Sequence, residues 1–258
     1  MHLPGSIRRL TDPVLERIPV PIASGVNRGL WWSLASAGRG HASGIREARR
    51  LRCIRSVVKP GDVVWDVGAN KGYITLCAAR RAGKAGSVHA FEPSEHSRLQ
   101  LARHVAWNGL TNVVIHPFAL SSYNGRDNFG GTGSSLGLHL GGGGAQVEVR
   151  TADSLIASGS VPAPTFVKVD VEGAEAGLLQ GAGQMLRNNA RLMIALHSRD
   201  LFVQCRAILL EAGNTLLESR AMSGWSTDYW FGDPDLYAAG PACADTPGEA
   251  GELRGAGF

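Results

Sequence analysis

Residues 63–73 read VVWDVGANKGY, a short apolar run that passes through a glycine turn into a helical segment. The apolar run is typical of a buried parallel strand, and Gly68 and Gly72 are typical of a strand-to-helix turn beside a ligand. The spacing is neither the GxGxxG dinucleotide fingerprint nor the GxxxxGK[ST] phosphate loop. Asp66 would also repel a pyrophosphate group. The stretch therefore favours an α/β fold whose first loop takes a ligand without a pyrophosphate, and preferably a cationic one.

Strand-like and helix-like segments alternate outward from this first strand, predicted at residues 63–68. Further strands are predicted at residues 87–92, 113–120, 146–150, 166–170, 192–197, 215–219 and 229–231. Helices are predicted at residues 73–82, 95–107, 174–187 and 201–212. Such alternation indicates βαβ units, right-handed crossovers and a largely parallel sheet. The predicted fold is one Rossmann-like α/β domain with helices on both faces of its sheet.

Four segments break or flank this alternation. Residues 1–43 are predicted to be an irregular leader, and residues 241–258 a flexible tail, which leaves one domain at residues 44–240. The arginine-rich segment 44–58 is predicted to be a helix, whose arginines form either a solvated face or a contact for an anionic acceptor. Residues 130–144 contain eight glycines and are predicted to be an irregular insert that borders the acceptor pocket.

Composition excludes several classes of protein. The chain has 258 residues, 44% of them hydrophobic and 19% charged, so wholesale disorder is excluded. No apolar run reaches the ~18 residues of a membrane span, and the first residues lack the apolar core of a secretory signal. Four cysteines are scattered without ligand spacing, which argues against a disulfide or zinc scaffold and for a reducing, cytoplasmic compartment.

The positive charge is confined to the beginning of the chain. Residues 1–60 carry 11 Lys and Arg against 3 Asp and Glu, whereas the remaining residues carry 15 against 19. A nucleic-acid-binding protein would more often place its basic residues around the active face. We therefore expect no nucleic-acid partner.

Acidic residues lie at or just past the ends of three of the predicted strands, at the edge where open parallel sheets bind their ligands. Glu92 ends the second strand and can accept hydrogen bonds from both hydroxyls of a ribose, although a strand-end glutamate is also often solvated. After the strand at 166–170, alternation places Lys168, Asp170 and Glu172 on one side of the chain. Asp170 or Glu172 could alternatively cap the helix that follows. Their convergence with Asp66 favours a ligand site.

These motifs together resemble the FkbM family of S-adenosylmethionine-dependent methyltransferases. The resemblance is carried by VVWDVGANKGYITL (63–76), HAFEPS (89–94), TADSL (151–155), FVKVDVEGAEAGLLQGA (166–182) and LMIALHS (192–198). It implies a class I methyltransferase fold, a seven-stranded sheet with its last strand antiparallel, and S-adenosylmethionine as cofactor. It also implies O-methylation of a hydroxyl on a sugar, glycoconjugate or secondary metabolite.

The resemblance assigns roles to individual residues. Asp66, Gly68, Ala69, Asn70 and Gly72 match the cofactor loop. Glu92 matches the acid that binds the ribose, and Asp170 and Glu172 match the acidic motif beside the substrate pocket. The adenine is expected near Ala119, at the end of the third strand.

An alcohol acceptor must lose a proton during methyl transfer, so a general base is expected near the pocket. We rank His197 first and Glu172 second, and expect Asp170 to orient the acceptor. No metal is required by this scheme, although Asp170 and Glu172 could hold a divalent cation with further oxygen ligands. The expected partner is a small-molecule or glycan acceptor, with an anionic one included.

Three other functions compete with this hypothesis. An RNA methyltransferase is suggested by the basic leader, but the Asn/Asp-Pro-Pro-aromatic motif of base-amino methylation is missing. An NAD-dependent oxidoreductase would be expected to carry the GxGxxG fingerprint, which this sequence lacks. A non-catalytic nucleotide-binding module on the same fold would bind the cofactor without turning it over.

Overall fold

The computed structural model describes residues 13–36, 40–131, 139–188, 190–218 and 235–239. In chain order, its strands are β1 (Pro19–Pro21), β2 (Trp31–Ser33), β3 (Val63–Val67), β4 (Ser87–Phe91), β5 (Val113–His116), β6 (Ala119–Leu120), β7 (Gly125–Gly130), β8 (His139–Leu140), β9 (Gly144–Arg150), β10 (Phe166–Val169), β11 (Arg191–Ala195), β12 (Thr215–Glu218) and β13 (Asp235–Ala239). Its α-helices are α1 (Ala48–Val57), α2 (Tyr73–Ala82), α3 (Glu95–Trp107), α4 (Ala152–Ala157), α5 (Glu175–Gln180), α6 (Gly183–Arg187) and α7 (Arg199–Glu211). A 3₁₀ turn covers Leu34–Ser36.

Within the described residues, the main sheet has seven strands in the order β12-β13-β11-β10-β3-β4-β5. Strands β11, β10, β3, β4 and β5 are paired in parallel, and β13 is antiparallel to both of its neighbours. The α/β sheet predicted from the sequence is confirmed, as is the antiparallel last strand that the family resemblance implies. Residues 229–231, predicted as a strand, lie outside the described residues.

Helices cover both faces of this sheet because its strands are apolar on both sides. Val64 and Phe166 pack under α1 and α2, whereas Trp65 and Val67, which point the other way, pack under α5 and α7. All four side chains are at most 1% exposed. The two apolar cores hold the strand ends in fixed positions, and the loops at those ends can then build a site. Among the described helices, none is long and apolar enough to cross a bilayer.

A second sheet, with the strand order β6-β9-β7-β8, was not predicted. The predicted strand at 113–120 is wrong as one element, because Pro117 separates β5 of the main sheet from β6 of the second. Proline lacks the N–H group that a continuous ladder requires. The insert predicted as irregular at 130–144 is regular at its two ends and at β8, and its residues 132–138 lie outside the described residues.

Part of the predicted irregular leader is ordered. Strands β1 and β2 pair in an antiparallel hairpin, in which Val20 is opposite Trp32. The indole of Trp32 is 1% exposed and stacks on the imidazole of His104 in α3, with 3.8 Å between the ring centroids. The prediction of irregular structure is therefore wrong for this hairpin. Residues 1–12, 37–39 and 240–258, which include the predicted tail, lie outside the described residues.

Two helix predictions are corrected. The basic helix predicted at 44–58 begins only at Ala48, because residues 44–47 form turns that end with Glu47 at a φ of 56°. The helix predicted at 174–187 is broken into α5 and α6 around Gly181. A Cβ there would lie 2.1 Å from the carbonyl oxygen of Ser121, so the chain passes close to the second sheet at this point. The carboxylate of Asp153 then caps the start of α6.

Candidate functional site

The loops that follow β3 and β10 touch at the carboxyl edge of the main sheet. Gly68 has a φ of 73°, and a Cβ at this position would lie 1.9 Å from the carbonyl oxygen of Asp170. A side chain therefore cannot be accommodated at Gly68. The close approach joins the two halves of the candidate site. These are the cofactor loop (residues 68–72), which is predicted to bind a cofactor, and the acidic loop (residues 170–175), which is predicted to bind an acceptor.

A buried ion pair between Asp66 and Lys168 supports the cofactor loop from the side of the sheet. Asp66 in β3 is fully buried, and its oxygens accept from the Thr75 hydroxyl at 2.6 Å and lie 3.0 Å from the Lys168 ammonium. The Lys168 ammonium also donates to the carbonyl oxygens of Val67 and Gly68. Burial acts to lower the pKa of Lys168, but the carboxylates of Asp66 and Asp170 outweigh it, and the pKa is raised. The geometry thus places Asp66 behind the loop, where its charge is matched by Lys168.

The carboxylate of Glu92 lies at the next strand end, beside the cofactor loop. One oxygen accepts from the Asn70 backbone N–H and the other from the Ser94 backbone N–H, both at 2.8 Å. Burial raises the pKa of Glu92, and these two N–H donors oppose the rise. Each carboxylate oxygen can accept a second hydrogen bond, so two acceptor positions remain after the loop has used two. Asn70 itself has a φ of 49°, a left-handed conformation that aims its N–H at Glu92.

The remaining residues of the predicted cofactor set lie in or near this loop. Ala69 is buried, and its N–H donates to the Phe91 carbonyl oxygen. Gly72 has a φ of 89° and precedes α2, where a Cβ would lie 2.2 Å from the Leu101 side chain. Ala119 lies in β6 of the second sheet and is 8% exposed. The first two residues shape the loop through their backbone, and Ala119 presents little surface to a ligand.

Three predicted catalytic residues converge on the acidic side of the edge. The Nε2 atom of His197 lies 3.5 Å from a carboxylate oxygen of Asp170 and 3.5 Å from one of Glu172. Its Nδ1 atom lies 2.8 Å from Oε1 of Glu175, a carboxylate with no exposed surface. Glu175 also accepts from the backbone N–H groups of Val171 and Gly173. The imidazole is therefore oriented by a buried partner, and its other nitrogen faces the acidic loop.

The carboxylates around His197 change the pKa of its imidazole. Burial acts to lower its pKa, but the hydrogen bond to Glu175 and the charges of Glu175, Asp170 and Glu172 raise it to about 9. At neutral pH the imidazole is consequently protonated and positively charged. His197 would therefore have to lose this proton before it could act as a base.

Asp170, Glu172 and His197 could in principle approach one cation together. One ligand atom from each lies within 4.8 Å of the other two. A protonated His197 cannot be a ligand, however, because both of its ring nitrogens then carry hydrogen. A divalent cation at this site would also need further oxygen ligands.

Three partners of the predicted site residues were not identified from the sequence. Glu175 orients His197, Lys168 pairs with Asp66, and Arg50 of α1 lies 3.4 Å from Asp170. The motif DVEGAE includes Glu175, and its glutamate at the helix start was a usable signal. Arg50 is 120 positions from Asp170 and gave no signal of this contact.

The chain is similar to known proteins over this region. Residues 66–216 match the family model described as Methyltransferase FkbM domain. Hexuronic acid methyltransferase AglP of Haloferax volcanii is 29% identical over 152 residues, which cover 57% of this chain and 61% of that protein. The crystal structure of Methyltransferase FkbM from Methylobacillus flagellatus KT has 20% identity and a TM-score of 0.49, and the match covers 69% of this chain and 43% of that one.

A crystal structure of an S-adenosylmethionine-dependent O-methyltransferase from Thermotoga maritima has 14% identity and a TM-score of 0.49, with 76% of this chain and 65% of that one covered. This chain thus spans less than two thirds of the length of each relative named. The family model nevertheless covers more than half of the chain, including the cofactor loop and the cluster of Asp170, Glu172 and His197, here called the acidic cluster. The chain belongs to the FkbM methyltransferase domain family.

Proposed function

We propose that this chain is an S-adenosylmethionine-dependent methyltransferase that methylates an oxygen atom of a sugar or glycoconjugate. The observation that carries the proposal is the position of Glu92 relative to His197. A buried carboxylate with two remaining acceptor positions follows β4, and an imidazole oriented by a buried carboxylate follows β11 at the same edge of the sheet. This combination suits a ribose on one side and an acceptor hydroxyl on the other.

The residues of the first loop fit S-adenosylmethionine in their chemistry. Glu92 would accept from the two ribose hydroxyls, and the acidic edge would favour the cationic sulfonium. When bound, S-adenosylmethionine supplies an electrophilic methyl group on a positively charged sulfur. Lys168 and Asp66 hold the backbone of the loop in place and make no direct contact in this scheme. Nothing in the loop provides the glycine spacing for the pyrophosphate of NAD.

The acidic loop and His197 would act on the acceptor. We expect Asp170 and Glu172 to orient the acceptor, and Nε2 of His197 to take the hydroxyl proton once the imidazole has lost its own. Glu175 keeps Nδ1 engaged, so only Nε2 is available for this step. Holding the two reacting atoms in line contributes as much as the base, which makes positioning by this loop central to the rate.

The relative AglP is named a hexuronic acid methyltransferase, which supports a sugar-related acceptor for this chain. A nucleic-acid substrate is less well supported. Arg46 and Arg50 of the basic segment both pair with Glu47, and Arg50 also approaches Asp170, so this charge is used within the protein. We also retain the prediction of a cytoplasmic protein, which rests on the scattered cysteines.

Calorimetry and a transfer assay test this proposal in two steps. In the first, the full chain is titrated with S-adenosylmethionine and, as a control, with NAD, and we expect heat of binding only from the former. In the second, transfer of a labelled methyl group is measured to uronic acids, neutral glycosides and a short RNA. Binding without transfer to any acceptor would support the non-catalytic module, and transfer to RNA alone would contradict the sugar-related function.

A further inference from the structure

A cavity of about 370 Å³ lies beside the acidic cluster, between the second sheet and helices α5 and α7. Tyr123 and Asp127 contribute to its wall from the second-sheet side, and Gln180 and Gln204 from the two helices. Gly173 also lines it and is joined by a peptide bond to Glu172. Their Cα atoms are therefore about 3.8 Å apart, so the cavity opens next to the candidate acceptor site.

Small residues line the side of the cavity that faces α5. A Cβ at Gly173 would meet no atom within 4 Å, which shows that the space beside this residue is empty. Gly177 of α5 packs against the second sheet, where a Cβ would be 3.3 Å from the Ser121 hydroxyl. The volume falls in the lower part of the range of small-molecule pockets, which is about 300–1,000 Å³.

The polar groups of the wall indicate the occupant. The Tyr123 hydroxyl donates to Asp127 at 2.7 Å, which fixes the tyrosine ring at the rim. The amides of Gln180 and Gln204 make no hydrogen bond within the described part of the chain. Each amide offers both donors and an acceptor. Among the described residues that line the cavity, Asp127 alone is charged. An anionic occupant would find no cation among these lining residues, whereas a neutral ring with several hydroxyl groups would find partners.

We propose that this cavity is a subsite for a neutral pyranose residue of a glycan acceptor, next to the residue that is methylated. The inference rests on the proposed function for the word acceptor, but binding of the pyranose is a property of the cavity alone. The ring hydroxyls exchange hydrogen bonds with the two glutamine amides and Asp127, and the tyrosine ring packs on a face of the sugar. The glycan chain then enters from the second-sheet side.

Saturation-transfer NMR on the full chain tests the subsite. The probes are the methyl pyranosides of glucose, galactose and mannose, with the methyl glycoside of glucuronic acid as the charged comparison. A double variant, Gln180→Trp with Gln204→Trp, fills the cavity from two exposed positions. The control is Val203→Trp on helix α7, which also carries Gln204. Val203 is exposed and does not line the cavity. Calorimetry with S-adenosylmethionine is run on each protein.

We expect at least one neutral pyranoside to bind, and its affinity to fall by at least ~10-fold in the double variant and less than ~2-fold in the control. The affinity for S-adenosylmethionine should be unchanged in both. Binding of no neutral pyranoside, equal binding to the double variant, or preference for the glucuronide would overturn the subsite. Failure of the unaltered protein to bind S-adenosylmethionine would instead contradict the proposed function. It would leave the subsite standing, because pyranoside binding is measured without the cofactor.

Discussion

The carboxylate of Glu92 holds a loop in place and still keeps acceptor positions that a ligand could use. Both of its oxygens accept from backbone N–H groups, those of Asn70 and Ser94, and each can accept once more. A glutamine at this position could not do the same. Whichever way its amide is turned, the NH₂ group meets a backbone donor.

We therefore expect Glu92→Gln to weaken S-adenosylmethionine binding by about 1–3 kcal/mol, through the loss of charge-assisted hydrogen bonds. Calorimetry measures the change. Glu95→Gln, at an exposed position in the first turn of α3, is the matched control and should leave the affinity unchanged. Equal affinities of the two variants would remove Glu92 from the cofactor site.

The imidazole of His197 should make the rate depend on pH. Since its pKa in the free protein is about 9, only the small deprotonated fraction could act as a base at neutral pH. We expect kcat/KM to rise about tenfold per pH unit below this value and to level off above it. His197→Gln should flatten the profile and lower the rate above pH 9 by roughly 10²–10⁴-fold, with cofactor affinity nearly intact.

A loss of less than about tenfold in that variant would move the role of the base to Glu172, or to positioning without a base. A second measurement separates a metal from a proton. Activity that is abolished by a chelator and restored by magnesium would make Asp170 and Glu172 a metal site, and His197 would then no longer be the expected base.

At the scale of elements, a single histidine connects the N-terminal hairpin, helix α3 and the cofactor loop. His104 of α3 is fully buried, its Nδ1 lies 2.7 Å from the Lys71 carbonyl oxygen, and its Nε2 accepts from the Ser33 backbone N–H at 3.0 Å. These contacts require the neutral imidazole with hydrogen on Nδ1. Protonation would place a second hydrogen against the N–H of Ser33.

Burial accordingly lowers the pKa of His104 from 6.5 to about 4. Because the folded value lies below the unfolded one, the stability contribution is present above pH 6.5 and is lost as the pH falls toward 4. The shift corresponds to about 3 kcal/mol. Thermal unfolding at pH 7 and pH 4.5 should show a smaller acid-induced loss in His104→Gln than in the parent. His96→Gln, at an exposed position of the same helix, should retain the full loss.

The glycine-rich turn between β8 and β9 offers a matched pair of positions. A Cβ at Gly142 would lie 2.2 Å from the carbonyl oxygen of Gly130, whereas a Cβ at Gly143 would meet nothing within 4 Å. We expect Gly142→Ala to lower the free energy of unfolding by about 1–3 kcal/mol and Gly143→Ala to change it by less than about 0.5 kcal/mol. Urea unfolding measures both. Equal effects would mean that the turn is not held as closely as the structure has it.

The elements that could be predicted from the sequence are those in which local pattern and burial agree. Strand β3 is buried on both faces and ends in a glycine turn, so its apolar run and its position at the site were both predicted. Strand β5 was extended too far because the apolar residues continue past Pro117 into another sheet. The pairing of His197 with Glu175 joins residues whose side chains meet only after two loops fold together, so spacing alone did not indicate it.

In the whole molecule, the basic N-terminal part lies against the carboxyl edge of the main sheet, where the candidate site is. Residues 13–36 contact α3 and the cofactor loop, and Arg50 of α1 reaches Asp170. The charge asymmetry of the sequence therefore has an internal use, because part of the positive charge near the N-terminus balances carboxylates of the site. Lys168 of β10 also balances these carboxylates. Burial acts to lower its pKa, but Asp66 and Asp170 raise it by more.

The consequence for the molecule is that its N-terminal hairpin should belong to the same folding unit as the sheet. Trp32 is 1% exposed and stacks on His104, whereas its neighbour Trp31 is 43% exposed. We expect Trp32→Ala to lower the free energy of unfolding by about 3–5 kcal/mol and to weaken S-adenosylmethionine binding, because His104 holds the carbonyl group of Lys71 in the cofactor loop. Trp31→Ala should have less than about 1 kcal/mol of effect. Urea unfolding followed by circular dichroism should show one transition in all three proteins. Two separate transitions, or equal losses in the two variants, would mean that the hairpin is an appendage of the domain.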